Sequence, residues 1–349
     1  MKDKKLICPI CNNDSENNFK DYYYITDGSM NYPASMDESI IKYCKNCYFS
    51  FCFPNIDRSV LTYYYKDYYN GKFTSLNSLL YKINNNIPFI DPRSFAQINL
   101  INNYINFNKL KILDIGSGNC IFYIQLISLG FSNIEYHVIE PQIKNKMFYE
   151  KLNIKNHVIS IEDKITEIPS NEYDLIIMSH SLEHFNSNSI ETIFYNMLHL
   201  VKNEGLIFIE VPNADLSQYP HTNERMQPHL SFFSNKSFYF LAKKFNLDIS
   251  YINNFGVDQN KNTKNFRTDR SFKLNENKKI QISQTYSLKK NKYKNMLTKN
   301  NFLLFIYSIL SIFKILNIKK NKNFFNLNFR ENQLCDKNGE FLRILLKKK

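Results

Sequence analysis

Leu110-Lys-Ile-Leu-Asp-Ile-Gly-Ser-Gly-Asn-Cys120 is a short apolar run that breaks into two glycines one residue apart. An apolar-rich stretch from Ile121 to Leu129 follows at once and predicts a helix. Strand, glycine turn and helix together make a cradle for a ligand. Glycines let the backbone come close to it, and the first turn of the helix offers unpaired amide donors. A lone Gly-x-Gly pair is weak evidence, so the flanking elements decide the fold.

Upstream, Ser94 to Phe107 predicts a helix. Downstream, strands are predicted at Ile134 to Ile139, near His157 to Ile161, at Tyr173 to Met178 and at Leu206 to Val211, with a helix running to about Val201 before the last of them. Five such β–α repeats imply an α/β fold with a parallel sheet whose ligands sit at the carboxyl ends of the strands. Glu140 closes the second strand 22 residues after Gly118, where an acid can accept both hydroxyls of a ribose. Leu247 to Phe255 reads as a sixth strand and Glu340 to Leu346 as a seventh, with a Lys-rich insertion at the hairpin position between them.

The amino terminus carries different chemistry. Cys8-Pro-Ile-Cys11 and Cys44-Lys-Asn-Cys47 are two knuckles separated by 32 residues. Each can present two thiolates to one ion, and four soft ligands suit a closed, structural zinc site; a redox dithiol is the competing reading. Cys52, Cys120 and Cys335 have no partner at ligand spacing and read as ordinary buried thiols. The aromatic stretch Leu61 to Asn70 reads as a clasp between modules, or as a source of phenols for the active site.

Among 349 residues, 43 % are apolar and 15 % aromatic, enough for a buried core and against a disordered chain. The formal charge of +13 is uneven: residues 257 to 349 hold 22 Lys and Arg against 6 Asp and Glu. A basic tail suggests attraction to an anionic partner, including peripheral contact with the inner face of a membrane. The apolar segment Phe302 to Phe313 is shorter than the roughly 20 residues that span a bilayer, and reads as a core helix, a dimer contact or an interfacial helix. No signal-like apolar stretch precedes Cys8, so a cytoplasmic location is expected.

The runs LDIGSGNC, YDLIIMSHSLEH and EGLIFIEVPN, the acid Glu140 and the later His229-Leu-Ser-Phe-Phe-Ser234 resemble the successive motifs of class I S-adenosylmethionine-dependent methyltransferases. Many bacterial members with two amino-terminal Cys-x-x-Cys knuckles and a Tyr-rich segment act in sugar or surface-polysaccharide biosynthesis. The resemblance covers residues 8 to 256 and departs at Cys120, where a third glycine is usual. It implies a Rossmann-like seven-stranded methyltransferase sheet. The implied units are a zinc module over 1–60, a connecting segment over 61–92, the cofactor domain over 93–256, a basic helical insertion over 257–338 and a final strand over 339–349.

By the same resemblance Asp114, Gly116 and Gly118 would hold the methionine part of S-adenosylmethionine, Glu140 the ribose and Asp163, less directly Glu162, the adenine amino group. Ser179 and His180 would border the sulfonium. His184 and His229 are the candidate bases for a protonated acceptor, with His221 a weaker third; each could instead be a histidine hydrogen-bonded in the fold. His180-Ser-Leu-Glu-His184 also matches a zinc-protease pattern, which needs both histidines on one helical face. The expected partner is a small-molecule acceptor such as a sugar or nucleotide-sugar. A nucleic-acid methyltransferase is disfavoured because no Asn-Pro-Pro-Tyr-type motif follows the fourth strand, and a non-catalytic zinc-bearing binding protein is disfavoured by the intact cofactor motifs.

Overall fold

The computed structural model of the chain describes residues 6–23, 40–65, 91–131, 133–142, 145–163, 165–216, 229–258 and 339–349. The expectations for His221, Cys335, residues 66–70 of the aromatic stretch, and the basic insertion from 259 to 338 with its apolar stretch lie outside the described residues. Among the described residues no helix is long and apolar enough to cross a membrane.

Three antiparallel strands open the chain: β1 (Phe19–Tyr23), β2 (Ile40–Cys44) and β3 (Ser50–Phe53). The two Cys-x-x-Cys knuckles flank this meander and share one local geometry. In each, the residue after the second cysteine is left-handed, Asn12 at φ 57° and Tyr48 at φ 60°. Its amide donates to the carbonyl of the first cysteine, at 2.9 Å from Asn12 and 2.8 Å from Tyr48. Helix α1 (Arg58–Tyr63) follows, and the Asp57 side chain caps it by accepting from the Ser59 amide. Helix α2 (Pro92–Ile101) begins with a proline and an Asp91 cap, two signals that start a helix. It stops before the expected Phe107 because Asn102 and Asn103 favour competing backbone hydrogen bonds. Phe107 instead turns into the core.

Next come β4 (Lys111–Ile115), α3 (Ile121–Ser128), β5 (Glu135–Ile139), α4 (Lys146–Lys151), β6 (Lys155–His157) and β7 (Tyr173–Ser179). Helix α5 (Ile190–Leu200), β8 (Val201–Pro212), β9 (Ser231–Phe232), α6 (Asn235–Lys244), β10 (Leu247–Asp258) and β11 (Gly339–Lys348) complete the order. The main sheet runs β10-β11-β8-β7-β4-β5-β6. Strands β4 to β8 are mutually parallel, and β11 pairs antiparallel with both neighbours. The third predicted strand is shorter and earlier than His157 to Ile161, because the chain turns at Ser160 to Asp163.

Alternate residues of each strand face opposite layers, as the two-residue period of a strand requires. Leu113, Ile139, Ile176 and Met178 pack with Ile193, Phe194 and Met197 of α5 and Phe238 and Leu241 of α6. Ile112, Val138, Leu175 and Ile177 pack with Ile98 and Ile101 of α2 and Phe122 and Leu126 of α3. Each fully buried side chain of this kind contributes about 1.5–3 kcal/mol. Cys8, Cys44, Cys47, Phe49 and Phe51 belong to the first of these layers. The proposed 1–60 unit therefore shares its core with the sheet. Its own small sheet is completed by β9, which pairs Ser231 with Phe51 and Phe232 with Ser50.

Candidate functional site

The turn after β4 is held in a left-handed course by Gly116 at φ 72° and Gly118 at φ 56°. Cys120 follows at φ 52° and caps α3 in the same left-handed region, so a thiol occupies the conformation for which a glycine is usual. Its side chain is buried beside Ser117. A Cβ placed on Gly116 would lie 2.3 Å from Ser181 Oγ. The glycine is thus required by the chain that leaves β7. The Gly118 carbonyl accepts from the Tyr149 hydroxyl at 2.5 Å and from Asn145 Nδ2 at 3.2 Å, which pins the turn to α4.

Glu140 is buried at the end of β5 and faces that turn. One oxygen accepts from the Gly118 amide at 3.3 Å and the other from the Gln142 amide at 3.0 Å. Asp114 is buried one strand away and accepts from the Tyr136 hydroxyl at 2.7 Å. Burial disfavours its charge, and with the nearby Glu140 carboxylate it outweighs the Tyr136 bond, so its pKa is pushed up to about 7. Ser179 ends β7 and is held by Gln97 Nε2 of α2 at 2.8 Å.

His180, left-handed at φ 51°, sits between two buried carboxylates. Its Nε2 is 3.0 Å from Glu210 Oε1, and its Nδ1 is 3.3 Å from Glu183 Oε1. Burial opposes charge on this imidazole, but the two acids raise its pKa overall. Glu210, at the end of β8, also pairs with the buried Arg343 of β11 and lies 3.6 Å from Arg93 Nε. Burial alone would raise the pKa of Glu183; the facing histidines bring it down to about 2. The zinc-protease pattern does not form a helical face, since only Leu182–His184 makes a single 3-10 turn.

His184 and His229 meet edge to face with ring centroids 4.7 Å apart, and Tyr65 stands 6.2 Å from His184. Donor atoms of Glu183, His184 and His229 all lie within 4.8 Å of one another. His229 is placed by its neighbour Leu230, whose amide donates to the Glu183 carbonyl at 2.8 Å and whose carbonyl accepts from the Cys52 amide at 2.9 Å. Chain segments more than 100 residues apart thus converge on this histidine pair.

Asp163 and Glu162 follow β6, the strand that pairs with β5. The Asp163 carboxylate accepts from Arg58 Nη2 at 2.6 Å and from the Ser160 amide at 3.1 Å, and Glu162 pairs with Arg58 Nε at 3.0 Å. Sequence reasoning missed Arg58, Glu210 and Arg343 as parts of the site, and met Glu183 only within the zinc-protease pattern. For Glu210 a signal existed, namely an acid within the apolar run Leu206 to Val211.

In the thiol cluster Cys8 Sγ is 3.5 Å from Cys47 Sγ and Cys11 Sγ is 3.6 Å from Cys44 Sγ, with all four sulfurs within 4.8 Å of one another. A tetrahedral zinc with bonds of about 2.3 Å would hold its sulfurs roughly 3.8 Å apart, so the donor set fits that ion.

A mostly parallel seven-stranded sheet with a glycine turn after β4, the first of its strands in chain order, is the α/β Rossmann-like methyltransferase fold. Residues 84–252 match the family model described as a methyltransferase domain. Two curated relatives are ubiquinone biosynthesis O-methyltransferases. That of Rickettsia canadensis is 26 % identical over 122 residues, which is 34 % of this chain and 50 % of the relative. That of Rickettsia felis is 25 % identical over 122 residues, 34 % of this chain and 48 % of the relative. The chain spans about half the length of the curated relatives it matches. Among solved structures, an S-adenosylmethionine-dependent methyltransferase from Archaeoglobus fulgidus aligns with a TM-score of 0.43 at 13 % identity, over 77 % of this chain and 99 % of that one.

Proposed function

We propose that this protein is an S-adenosylmethionine-dependent methyltransferase acting on a small molecule. The observation that carries the reading is Glu140, a buried carboxylate brought against the Gly118 amide at the carboxyl ends of β4 and β5. The family match over residues 84–252 supports it. Asp114, Gly116 and Gly118 would hold the methionine part of the cofactor, Glu140 the ribose and Asp163 the adenine amino group. Ser179 and His180 would lie beside the sulfonium, which supplies an electrophilic methyl group. His184 or His229 would take the acceptor proton. The two rings are close enough to share that task, and Glu183 stabilises the positive charge that results.

The finer reading is a sugar or other precursor of a surface polysaccharide. It rests on the resemblance of the cysteine knuckles and the His229 segment. O-methylation of an acceptor of the kind met in ubiquinone biosynthesis is the second reading, favoured by the name of the curated relatives and by the aromatic ring of Tyr65 beside His184. Zinc at Cys8, Cys11, Cys44 and Cys47 would be structural, since four thiolates leave no open position.

Calorimetric titration with S-adenosylhomocysteine tests the cofactor reading. Wild type binds, and Glu140→Ala weakens binding by about 2 kcal/mol, on the order of 30-fold, because charge-assisted bonds to two hydroxyls are lost. Absence of wild-type binding overturns the reading.

A further inference from the structure

Arg58 belongs to the amino-terminal module, yet its guanidinium reaches the acids that follow β6. Beside it lies a cavity of about 290 Å³, bounded by Asn55, Asp57 and Arg58 on one side and by Glu162, Asn186 and Ser189 on the other. Both walls are fixed. On the module side, Ile56 exchanges two hydrogen bonds with the Asn186 side chain, at 3.1 and 2.7 Å, and Asn55 accepts from Ser187 Oγ at 3.0 Å. On the sheet side, Asn196 of α5 donates to the carbonyls of Ile161 and Asp163, at 2.6 and 3.0 Å.

The lining joins carboxylates that accept from an amine, carboxamides that both donate and accept, and one planar cation. That chemistry suits an uncharged heteroaromatic base: the acids take its exocyclic N–H, the amides its ring nitrogens, and the guanidinium its π face. A sugar would more often be met by an aromatic platform, and none of the lining residues is aromatic. Glu162 of this lining comes from the segment that follows β6, and β6 pairs with β5, the strand that Glu140 closes; in a parallel sheet the ligand is received at the carboxyl ends of the strands.

We propose that Arg58 grips the base of the cofactor's nucleoside from across the seam, so that the amino-terminal module supplies part of the cofactor site. The inference rests on the cofactor reading above and deepens it. An exposed ion pair contributes little to folding, and Arg58 is about half exposed, so its replacement leaves the ligand-free fold nearly as stable.

The test uses the full chain and S-adenosylhomocysteine. Arg58→Ala weakens binding about tenfold, while the thermal midpoint of the ligand-free protein stays within a few degrees. Arg58→Lys keeps a cation for Glu162 and Asp163 but lacks the planar face, and recovers only part of the affinity. Wild-type binding with unchanged affinity in Arg58→Ala overturns the proposal. Full affinity in Arg58→Lys overturns the stacking role, and with it the grip on the base. If Arg58→Ala lowers the ligand-free midpoint, Arg58→Lys alone decides. Failure of wild type to bind is a separate result and removes the cofactor reading itself.

Discussion

The glycine turn and the histidine pair lie on one sheet but are assembled in opposite ways. The turn is local: Asp114 to Cys120 is continuous chain, and Glu140 joins it from the neighbouring strand. The histidine pair is distributed. Glu183 and His184 follow β7, His229 precedes β9, and β9 is held by β3 of the cysteine module. A local site needs only its own supersecondary unit to form. A distributed one inherits the stability of every segment that meets there.

Removing the thiolate set is the strongest way to break this comparison. Cys44→Ser should destabilise the amino-terminal module by on the order of 5 kcal/mol or more, because metal binding and folding of a small thiolate site are one free energy. The loss should spread to β9 and His229, since Cys44, Phe49 and Phe51 share a core with Phe233 and Phe238. Metal analysis should find zinc in wild type and not in the variant, and methyl transfer should fall with it. Affinity for S-adenosylhomocysteine should drop less than turnover. An equal loss of both would show that the two regions are not separable.

Gly116→Ala attacks the other region. The new Cβ meets Ser181 Oγ and must also adopt φ 72°, which together cost about 3 kcal/mol. Thermal unfolding should register that cost, and cofactor binding should fail. The zinc content should be untouched.

The smallest effect sharpens the picture at Asp114. Its pKa near 7 lies above the ordinary aspartate value, so the folded, ligand-free protein binds a proton there that the unfolded chain gives up. Stability from this group is therefore complete below the ordinary aspartate range and is lost as pH rises through 7. A cationic ligand reverses the preference by favouring the carboxylate. Affinity for S-adenosylmethionine should then rise by up to about tenfold per pH unit below 7 and level off above it, with one proton released. Calorimetry in buffers of different ionisation enthalpy counts that proton, and Asp114→Asn should remove both slopes.

Legibility in the sequence followed the same division. Strand and helix periods around Leu110 to Leu129 are local, so the turn, Glu140 and the alternation that makes the sheet could be read directly. Ends were less readable where a side chain decides them, as at Asn102, where asparagines stop α2 short of Phe107. The helix that was expected to run to about Val201 ends at Leu200, and β8 starts at once rather than at Leu206. There Lys202 pairs with Asp174 of the neighbouring strand. Histidines 184 and 229 could be named as candidates, but nothing local reveals that they touch. A two-residue strand such as β9 has no period to detect, and Arg58 meets Asp163 across a sequence separation of 105.

The position of β11 also sets the order of events during synthesis. β8 and β10 leave the ribosome well before Gly339–Lys348, the strand that must slot between them. Until those residues emerge, the nascent sheet keeps one β8 edge open and Glu210 lacks the buried Arg343. An exposed strand edge invites pairing with other chains. Synthesis that stopped before Gly339 would leave that β8 edge open and Glu210 without Arg343.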